Sequence, residues 1–197
     1  MKVASRLNVK AIAEAYVQSF DALIDHLDLR AIERAVELVQ AARDSGATIY
    51  VAGNGGSAAT AIHWANDLTM AVKRSGRLPP RVVSLVDNIS SVTALANDEG
   101  YERVFAAQLE NLAQPGDMLV VFSASGNSLN LVRAVETAQD RGMATVAFLG
   151  FDGGKLKDMV TAAIWVETDI GAYGLAETAH VLIADIIATC LSGDRRL

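Results

Sequence analysis

The sequence is poor in several features that mark whole classes of protein. Its 197 residues contain one cysteine, three prolines and 6% aromatic residues, so a disulfide-stapled or collagen-like chain is excluded. No run approaches the roughly 18 uninterrupted apolar residues of a membrane span, and residues 1–10 are too polar for a secretory signal. The lone Cys190 stands in an apolar run, which predicts a packed, inert thiol in a reducing cytoplasm.

Positive charge is also scarce, with 17 Lys and Arg against 23 Asp and Glu and a net charge of −6. Because a nucleic-acid binder needs a basic cluster to neutralise phosphates, we expect no direct nucleic-acid partner, and no membrane partner either. Hydrophobic residues make up 51% of the chain. This composition suits buried parallel strands and helices that other subunits partly cover. The length predicts one domain, residues 1–197.

Hydrophobic periodicity divides that domain into two parts. Apolar residues recur at helical spacing over 9–27 and 32–42, with a break at Asp28 and an end at Gly46, which predicts an N-terminal helical hairpin over 1–46. Over 47–197, short β-rich runs alternate with helical stretches. The runs are 48–52, 81–86, 118–122, 145–149 and 163–166, and the helical stretches lie near 57–71, 90–97, 101–112, 128–141 and 172–191. Such alternation predicts an α/β fold with a parallel sheet between helices.

Two small-residue loops each follow a predicted strand and precede a predicted helix. The first is Gly53-Asn54-Gly55-Gly56-Ser57, whose glycines let the backbone approach an anion at a helix N-terminus, with Ser57 predicted as the N-cap. The second is Ser123-Ala124-Ser125-Gly126-Asn127-Ser128, which offers three hydroxyls to one phosphate. The second loop has neither the lysine nor the glycine spacing of nucleotide-binding motifs, and no nucleotide cofactor is expected.

Each loop alone could be a plain turn. Together they lie at the carboxyl ends of parallel strands, where open α/β sheets bind ligands. The pair therefore favours a small phosphorylated ligand.

Ionisable side chains that could move a proton lie on two predicted helices. His63 and Asp67 are four residues apart and share one helix face, while Glu177 and His180 are three apart, with Asp185 further along. Each also has an ordinary structural explanation: an exposed His–Asp pair, a carboxylate near a helix start, and a hydrogen-bonded core histidine. Spacing alone leaves both interpretations open.

Five motifs follow one another along the chain. They are Gly53-Asn54-Gly55-Gly56-Ser57-Ala58-Ala59, Ala96-Asn97-Asp98, Gly116-Asp117, Ser123-x-Ser125-Gly126-Asn127-Ser128 and Asp152-Gly153-Gly154. In this order and spacing they resemble the sugar isomerase (SIS) domain family and, within it, the phosphoheptose isomerases. The resemblance covers essentially the whole chain. It implies a three-layer α/β sandwich with a five-stranded parallel sheet, preceded by the helical hairpin, and a homotetramer with pockets at subunit interfaces.

The resemblance implies a cytoplasmic ketose–aldose isomerase that acts on sedoheptulose 7-phosphate, or a related sugar phosphate, through an enediol. Seven residues would hold the sugar phosphate: Asn54, Gly55, Ser57, Asp98, Ser123, Ser125 and Ser128. Asp67 would be the base, with His63 and Asp185 also handling protons. A divalent metal, expected to be zinc, would be bound by His63, Asp67, Glu177 and Asp185, with His180 as an additional candidate ligand.

Several positions depart from the family pattern. Ala124 stands where members usually have Thr, Asp67 where they have Glu, Asp185 where they have a catalytic His, and Met70-Ala71 where they often have Gly-Arg. Glu177 does not depart, since members carry Gln or Glu at its position. Two alternatives therefore stay open. One is a non-catalytic phosphosugar-binding or regulatory protein, like the relative that associates with the DnaA initiator. The other is a metal that only joins subunits. The four retained ligand-type side chains favour the isomerase.

Overall fold

A computed structural model describes residues 8–193 of the chain, apart from the side chain of residue 71. The helices are α1 (Val9–Ile24), α2 (Leu29–Ser45), α3 (Gly56–Arg74), α4 (Ile89–Asp98), α5 (Ala106–Leu112), α6 (Leu129–Asp140), α7 (Leu156–Met159) and α8 (Tyr173–Ser192), with a 3-10 turn at Tyr101–Arg103. The strands are β1 (Thr48–Gly53), β2 (Arg81–Ser84), β3 (Met118–Ser123), β4 (Ala144–Leu149) and β5 (Ala162–Trp165).

The five strands form one parallel sheet in the order β2-β1-β3-β4-β5. This arrangement confirms the predicted α/β fold, and each predicted strand is present to within two residues. The helix expected near 101–112 is instead a 3-10 turn followed by α5, with the buried Val104 and Phe105 between them. The four-residue α7 was missed because it is too short for a helical period to appear.

Alternate strand residues face two separate apolar cores. On one side, Ile49 and Val51 pack with α2, α3 and α8 around Trp64. On the other side, Tyr50 and Ala52 pack with α5 and α6. Both faces of β3 are buried along its full length. The sheet is therefore the middle of three layers, and its central strands end beneath the two small-residue loops.

Two helices are rich in apolar side chains, and this chain covers them to different extents. No residue of α1 is buried, and its apolar side chains include the exposed Val9, Ile12 and Val17. Within the described residues, α8 is the one helix long and apolar enough to cross a membrane. Core helices of soluble proteins have the same length and composition, and α8 packs against α2, α3 and β4. Cys190 lies on the outer side of α8 and is exposed, so the prediction of a packed thiol was wrong.

The loop after β3 is braced by the loop after β4. Gly126 has a φ of +62°, and a side chain there would collide with the backbone oxygen of Gly153. Asn127 donates from Nδ2 to the Ser125 carbonyl (2.9 Å) and accepts from the Lys155 backbone N–H (3.1 Å). The Asp152-Gly153-Gly154 motif thus serves as a support for the serine loop.

Gly126→Ala should destabilise the protein more than a positive φ alone explains. Gly142 provides the matched control, since it has a φ of +70° but open space around its missing side chain. We expect about 1–2 kcal/mol for Gly142→Ala and about 3 kcal/mol or more for Gly126→Ala, where the collision adds to the backbone strain. Urea unfolding of both variants measures the difference. Equal losses would show that the two loops are not in close contact.

Candidate functional site

The two loops meet where the strand order changes direction, between β1 and β3. Ligands bind at such a switch point in open α/β sheets because the loops diverge there. A cavity of about 130 Å³ lies at this point. Its lining residues are Asn54, Ser57, Phe122, Ser123, Ala124, Ser125, Ser128, Leu131, Tyr173 and Glu177. Five of the seven predicted phosphate ligands are therefore brought together, while Gly55 and Asp98 are absent from the lining.

The first loop enters its helix one residue earlier than predicted. Helix α3 begins at Gly56, directly after Gly55 turns the chain with a φ of +55°. Ser57 is therefore a buried residue of the first turn, and its prediction as the N-cap was wrong. Its hydroxyl lines the cavity beside backbone N–H groups that have no partner within the helix.

The second loop orients two of its hydroxyls by hydrogen bonds from backbone N–H groups two or three residues further along the chain. Ser123 Oγ accepts from the Gly126 N–H (3.0 Å), and Ser125 Oγ accepts from the Asn127 N–H (3.3 Å). Both hydroxyls keep their own protons for donation to a ligand. Ser128 has the backbone position of an N-cap on α6 but makes no capping hydrogen bond with its side chain. Its hydroxyl is thus available to the cavity.

An amide pair joins the first loop to the start of α6. Asn54 and Asn130 exchange two hydrogen bonds, of 3.0 and 2.9 Å, and Tyr101 Oη donates to Asn54 Oδ1 (2.8 Å). Sequence reasoning missed Asn130 and Tyr101. An Asn inside the predicted helix over 128–141 was a usable signal for Asn130, because Asn is unfavourable inside a helix unless its side chain has a partner.

Asp98 lies apart from these groups. It ends α4, is exposed, and accepts a hydrogen bond from the neighbouring Asn97 (2.8 Å). Its predicted contact with a sugar phosphate stays a prediction. Ala124, which replaces the expected Thr, is buried against Phe151 and Ala176. This position therefore contributes packing at the cavity wall.

The first turn of α8 supplies the opposite wall of the cavity. Tyr173 and Glu177 are four residues apart and both line it, and the Tyr173 ring packs edge-on against Phe151 with 4.9 Å between ring centres. The Glu177 carboxylate lies against Gly56, in the space that a side chain there would occupy. The negative charge of Glu177 is thus placed at the positive N-terminal end of α3. Among the residues that the structure describes, no Lys or Arg lines this cavity.

The other ionisable candidates follow the same face of α3. His63 and Asp67 come seven and eleven residues after Gly56, about two and three helical turns. His63 Nε2 lies 3.2 Å from Asp67 Oδ2, and 57% of the His63 side chain is exposed. Helix rise places His63 about 10 Å beyond Gly56. Asp185 is exposed on α8, eight residues after Glu177. Of the four candidate metal ligands, the structure pairs His63 with Asp67 and leaves Glu177 and Asp185 outside this pair.

This arrangement does not fit a metal within one chain. A zinc site takes three or four protein ligands. Within residues 8–193, no three His, Cys, Asp or Glu side chains lie close enough together to hold a metal ion. His180, the additional candidate ligand, is instead buried in the core against Phe122 and Phe148. We therefore derive no step through a metal.

His180 is unusual among the core residues because its imidazole ring is polar and fully buried. Neither ring nitrogen makes a hydrogen bond of normal geometry, so the expectation of a hydrogen-bonded core histidine was half right. Burial lowers the pKa of His180 from 6.5 to about 4, because the imidazolium would lose its hydration, while the Leu149 backbone partly opposes this shift. His180 is therefore neutral in the folded protein at neutral pH.

The chain is similar to known proteins along most of its length. The SIS domain model matches residues 15–150. A phosphoheptose isomerase from a Nitratiruptor species is 43% identical over 143 residues, which cover 73% of this chain and 75% of that protein. One from a strain of Helicobacter pylori is 37% identical over 178 residues, covering 90% and 88%. The structure of a phosphoheptose isomerase from Neisseria gonorrhoeae matches with a TM-score of 0.83 and 31% identity, covering 94% of this chain and 97% of that one.

The buried His180 should make folding stability fall in mild acid. The unfolded chain takes up this proton near pH 6.5, whereas the folded chain resists it down to about pH 4. The neutral His180 therefore costs no stability above pH 6.5. Between pH 6.5 and pH 4 the free energy of unfolding falls progressively, by on the order of 3 kcal/mol in total. Urea unfolding at several pH values, compared with His180→Leu, measures it. If the free energy of unfolding of His180→Leu fell with pH as steeply as that of the wild type over this range, the assignment to His180 would be contradicted.

Proposed function

Because the chain belongs to the SIS domain family and, within it, to the phosphoheptose isomerases, it is an aldose–ketose isomerase of sugar phosphates, and we propose sedoheptulose 7-phosphate as its substrate. The observation that carries the proposal is the cavity between β1 and β3. Hydroxyls and amides from two loops surround it, and the helix starts of α3 and α6 lie beside it. This is a setting for a phosphate.

The phosphate is held by hydrogen-bond donors in place of a cation. Ser57 comes from the first turn of α3, and Ser123, Ser125 and Ser128 come from the loop that precedes α6. Helix N-termini favour anions through their unpaired N–H groups and the helix dipole. Glu177 moves off Gly56 or accepts hydrogen bonds from the sugar hydroxyls when the phosphate binds. The sugar chain then runs along the face of α3 toward His63 and Asp67.

The reaction moves a proton between adjacent carbons. Asp67 takes the proton from the carbon next to the carbonyl, which gives the enediol, and returns it to the neighbouring carbon. His63 forms a 3.2 Å pair with Asp67 and moves a proton between the two sugar oxygens. Asp185 is proposed as a further proton-handling group on α8. Helix rise places the backbone of His63 about 10 Å and that of Asp67 about 16 Å beyond Gly56, and the Asp67 carboxylate reaches back to within 3.2 Å of His63. An extended sugar chain whose phosphate is bound at the loops therefore points its carbonyl end toward this pair.

The site is proposed to be completed by a second copy of the chain in a homotetramer. A cavity of about 130 Å³ is smaller than the roughly 300–1,000 Å³ of most small-molecule sites. The exposed apolar side of α1 offers a surface for such contacts. Zinc likewise needs ligands from outside the chain, and metal analysis of the purified oligomer tests for it. The cytoplasm stays the predicted compartment, since the single cysteine can form no internal disulfide.

A non-catalytic phosphosugar-binding protein is the second candidate. It would need only the loops, whereas this chain keeps a paired His63 and Asp67 on the face of α3 that leads away from the loops. The similarity to phosphoheptose isomerases over most of the chain also favours the enzyme.

Asp67→Asn should abolish turnover while leaving phosphate binding intact. Loss of the base should lower kcat at least about 100-fold, measured with sedoheptulose 7-phosphate in D2O, where turnover places deuterium on the carbon that gains the proton. Glu177→Gln is the matched control, because the resemblance implies either Gln or Glu at this position, and it should keep most of the turnover.

Two results would contradict this assignment. Activity that survives Asp67→Asn but disappears in Glu177→Gln would make Glu177 the base. A wild-type protein that binds sugar phosphates but converts none of them would favour the binding protein.

Charges on the apolar side of α1 should separate the subunits. The double variant Ile12→Glu, Val17→Glu should reduce the mass in solution from that of a tetramer, four times 20.8 kDa, toward that of a single chain. Turnover should be lost, but helix content should be kept, because α1 buries no residue within its own chain. Gln18→Glu adds an acidic residue without removing an apolar one and is the control. Light scattering measures the mass, and an intact, active tetramer would place the interface elsewhere.

A further inference from the structure

An exposed tyrosine outside both loops contacts a group that lines the cavity. Tyr101 is 55% exposed and does not line the cavity itself. Its hydroxyl nevertheless lies 2.8 Å from Asn54 Oδ1, although the two residues are 47 positions apart in the sequence. The proposed proton transfers do not use Tyr101. Its contact with Asn54 bears on how the side-chain amide is oriented.

The amide of Asn54 has a complete set of partners on its oxygen side. Oδ1 accepts from Tyr101 Oη (2.8 Å) and from Asn130 Nδ2 (2.9 Å), which uses both of its lone pairs. Nδ2 donates one hydrogen to Asn130 Oδ1 (3.0 Å). One N–H of Asn54 is left over, on a residue that lines the cavity.

The Asn54–Asn130 pair does not fix this orientation alone. If both amides rotated by 180°, the two hydrogen bonds between them would be re-formed with donors and acceptors exchanged. The cavity would then face Asn54 Oδ1, an acceptor that repels phosphate oxygens. Only Tyr101, the third partner of the Asn54 amide, distinguishes the two arrangements. Because a phenol is a better donor than acceptor, Tyr101 favours the arrangement in which it donates to Asn54 Oδ1 and the free N–H of Asn54 faces the ligand.

The surroundings of Tyr101 hold it in this position. It begins the 3-10 turn directly after Gly100, whose φ is +95°. Arg103, at the end of that turn, makes two hydrogen bonds to the Glu110 carboxylate (3.0 and 2.8 Å) and one to Glu99 (3.4 Å). The turn is thus tied to α5 on one side and to the end of α4 on the other.

We propose that Tyr101 is a positioning residue for phosphate binding: its hydroxyl holds the Asn54 amide with an N–H directed at the phosphate. This inference takes the identity of the sugar from the proposed function. The part that concerns phosphate binding does not require the protein to be an isomerase. Tyr101 touches Asn54 and acts through it. Its removal should therefore weaken binding without slowing the chemical step.

The test is Tyr101→Phe, which keeps the ring and removes the donor. Titration calorimetry with inorganic phosphate should show about tenfold weaker binding, and steady-state kinetics should show KM for the sugar phosphate raised by a similar factor with kcat unchanged. The matched control is Tyr50→Phe. Tyr50 also donates one hydrogen bond, to the Leu112 carbonyl (2.9 Å), but lies in the core away from the cavity. Tyr50→Phe should lower the melting temperature and leave phosphate affinity and KM unchanged.

Three outcomes decide the proposal. Unchanged phosphate affinity in Tyr101→Phe overturns it, and so does a fall in kcat at constant KM, which would place Tyr101 in the chemical step. A wild-type protein without turnover, whose phosphate binding is still weakened by Tyr101→Phe and not by Tyr50→Phe, supports the positioning role while refuting the isomerase. The two proposals can therefore fail separately.

Discussion

The contact between α3 and α8 is the constraint on which the rest of the site depends. Trp64 is fully buried, packs edge-on against Phe122 and Phe148, and donates from Nε1 to the Ala184 carbonyl of α8 (2.9 Å). One side chain thus fixes α3 and α8 to each other and to the middle of the sheet. Every proton-handling candidate lies on one of these two helices, so their relative placement follows from this packing.

The phosphate cavity depends on a different kind of contact, between backbones that approach too closely for side chains. Gly126 lies against Gly153, and Gly56 lies against the carboxylate of Glu177. These approaches bring three loops and a helix start together without using a charged side chain as the connection. The result is a cavity lined by hydroxyls and amides, with Glu177 as the one charged residue among the described residues of the lining. The proposed binding of an anion there would rely on oriented N–H and O–H groups, whose positions the glycines determine.

Local features of the sequence were predicted well, and contacts between distant segments were not. The strands and the two loops follow from hydrophobic period and glycine position, which act over a few residues. Asn130 and Tyr101 reach Asn54 from 76 and 47 residues away, and no periodicity encodes such a contact. The burial of His180 and the exposure of Cys190 on the same apolar helix depend on which side faces α3 and the sheet. A helix that is apolar on nearly all sides does not reveal that choice.

The incomplete enclosure of His63 and Asp67 bears on how the enzyme is assembled. A carboxylate that removes a proton from carbon works best where water is excluded, yet more than half of the His63 side chain is open in the single chain. The same chain leaves Val9, Ile12 and Val17 on the apolar side of α1 exposed. Both features fit the proposed homotetramer, since a second copy that covers the apolar surface could also close the open end of the α3 face. In such an assembly, the shorter side chain of Asp67 and the carboxylate of Asp185 could be offset by the approach of the neighbouring subunit.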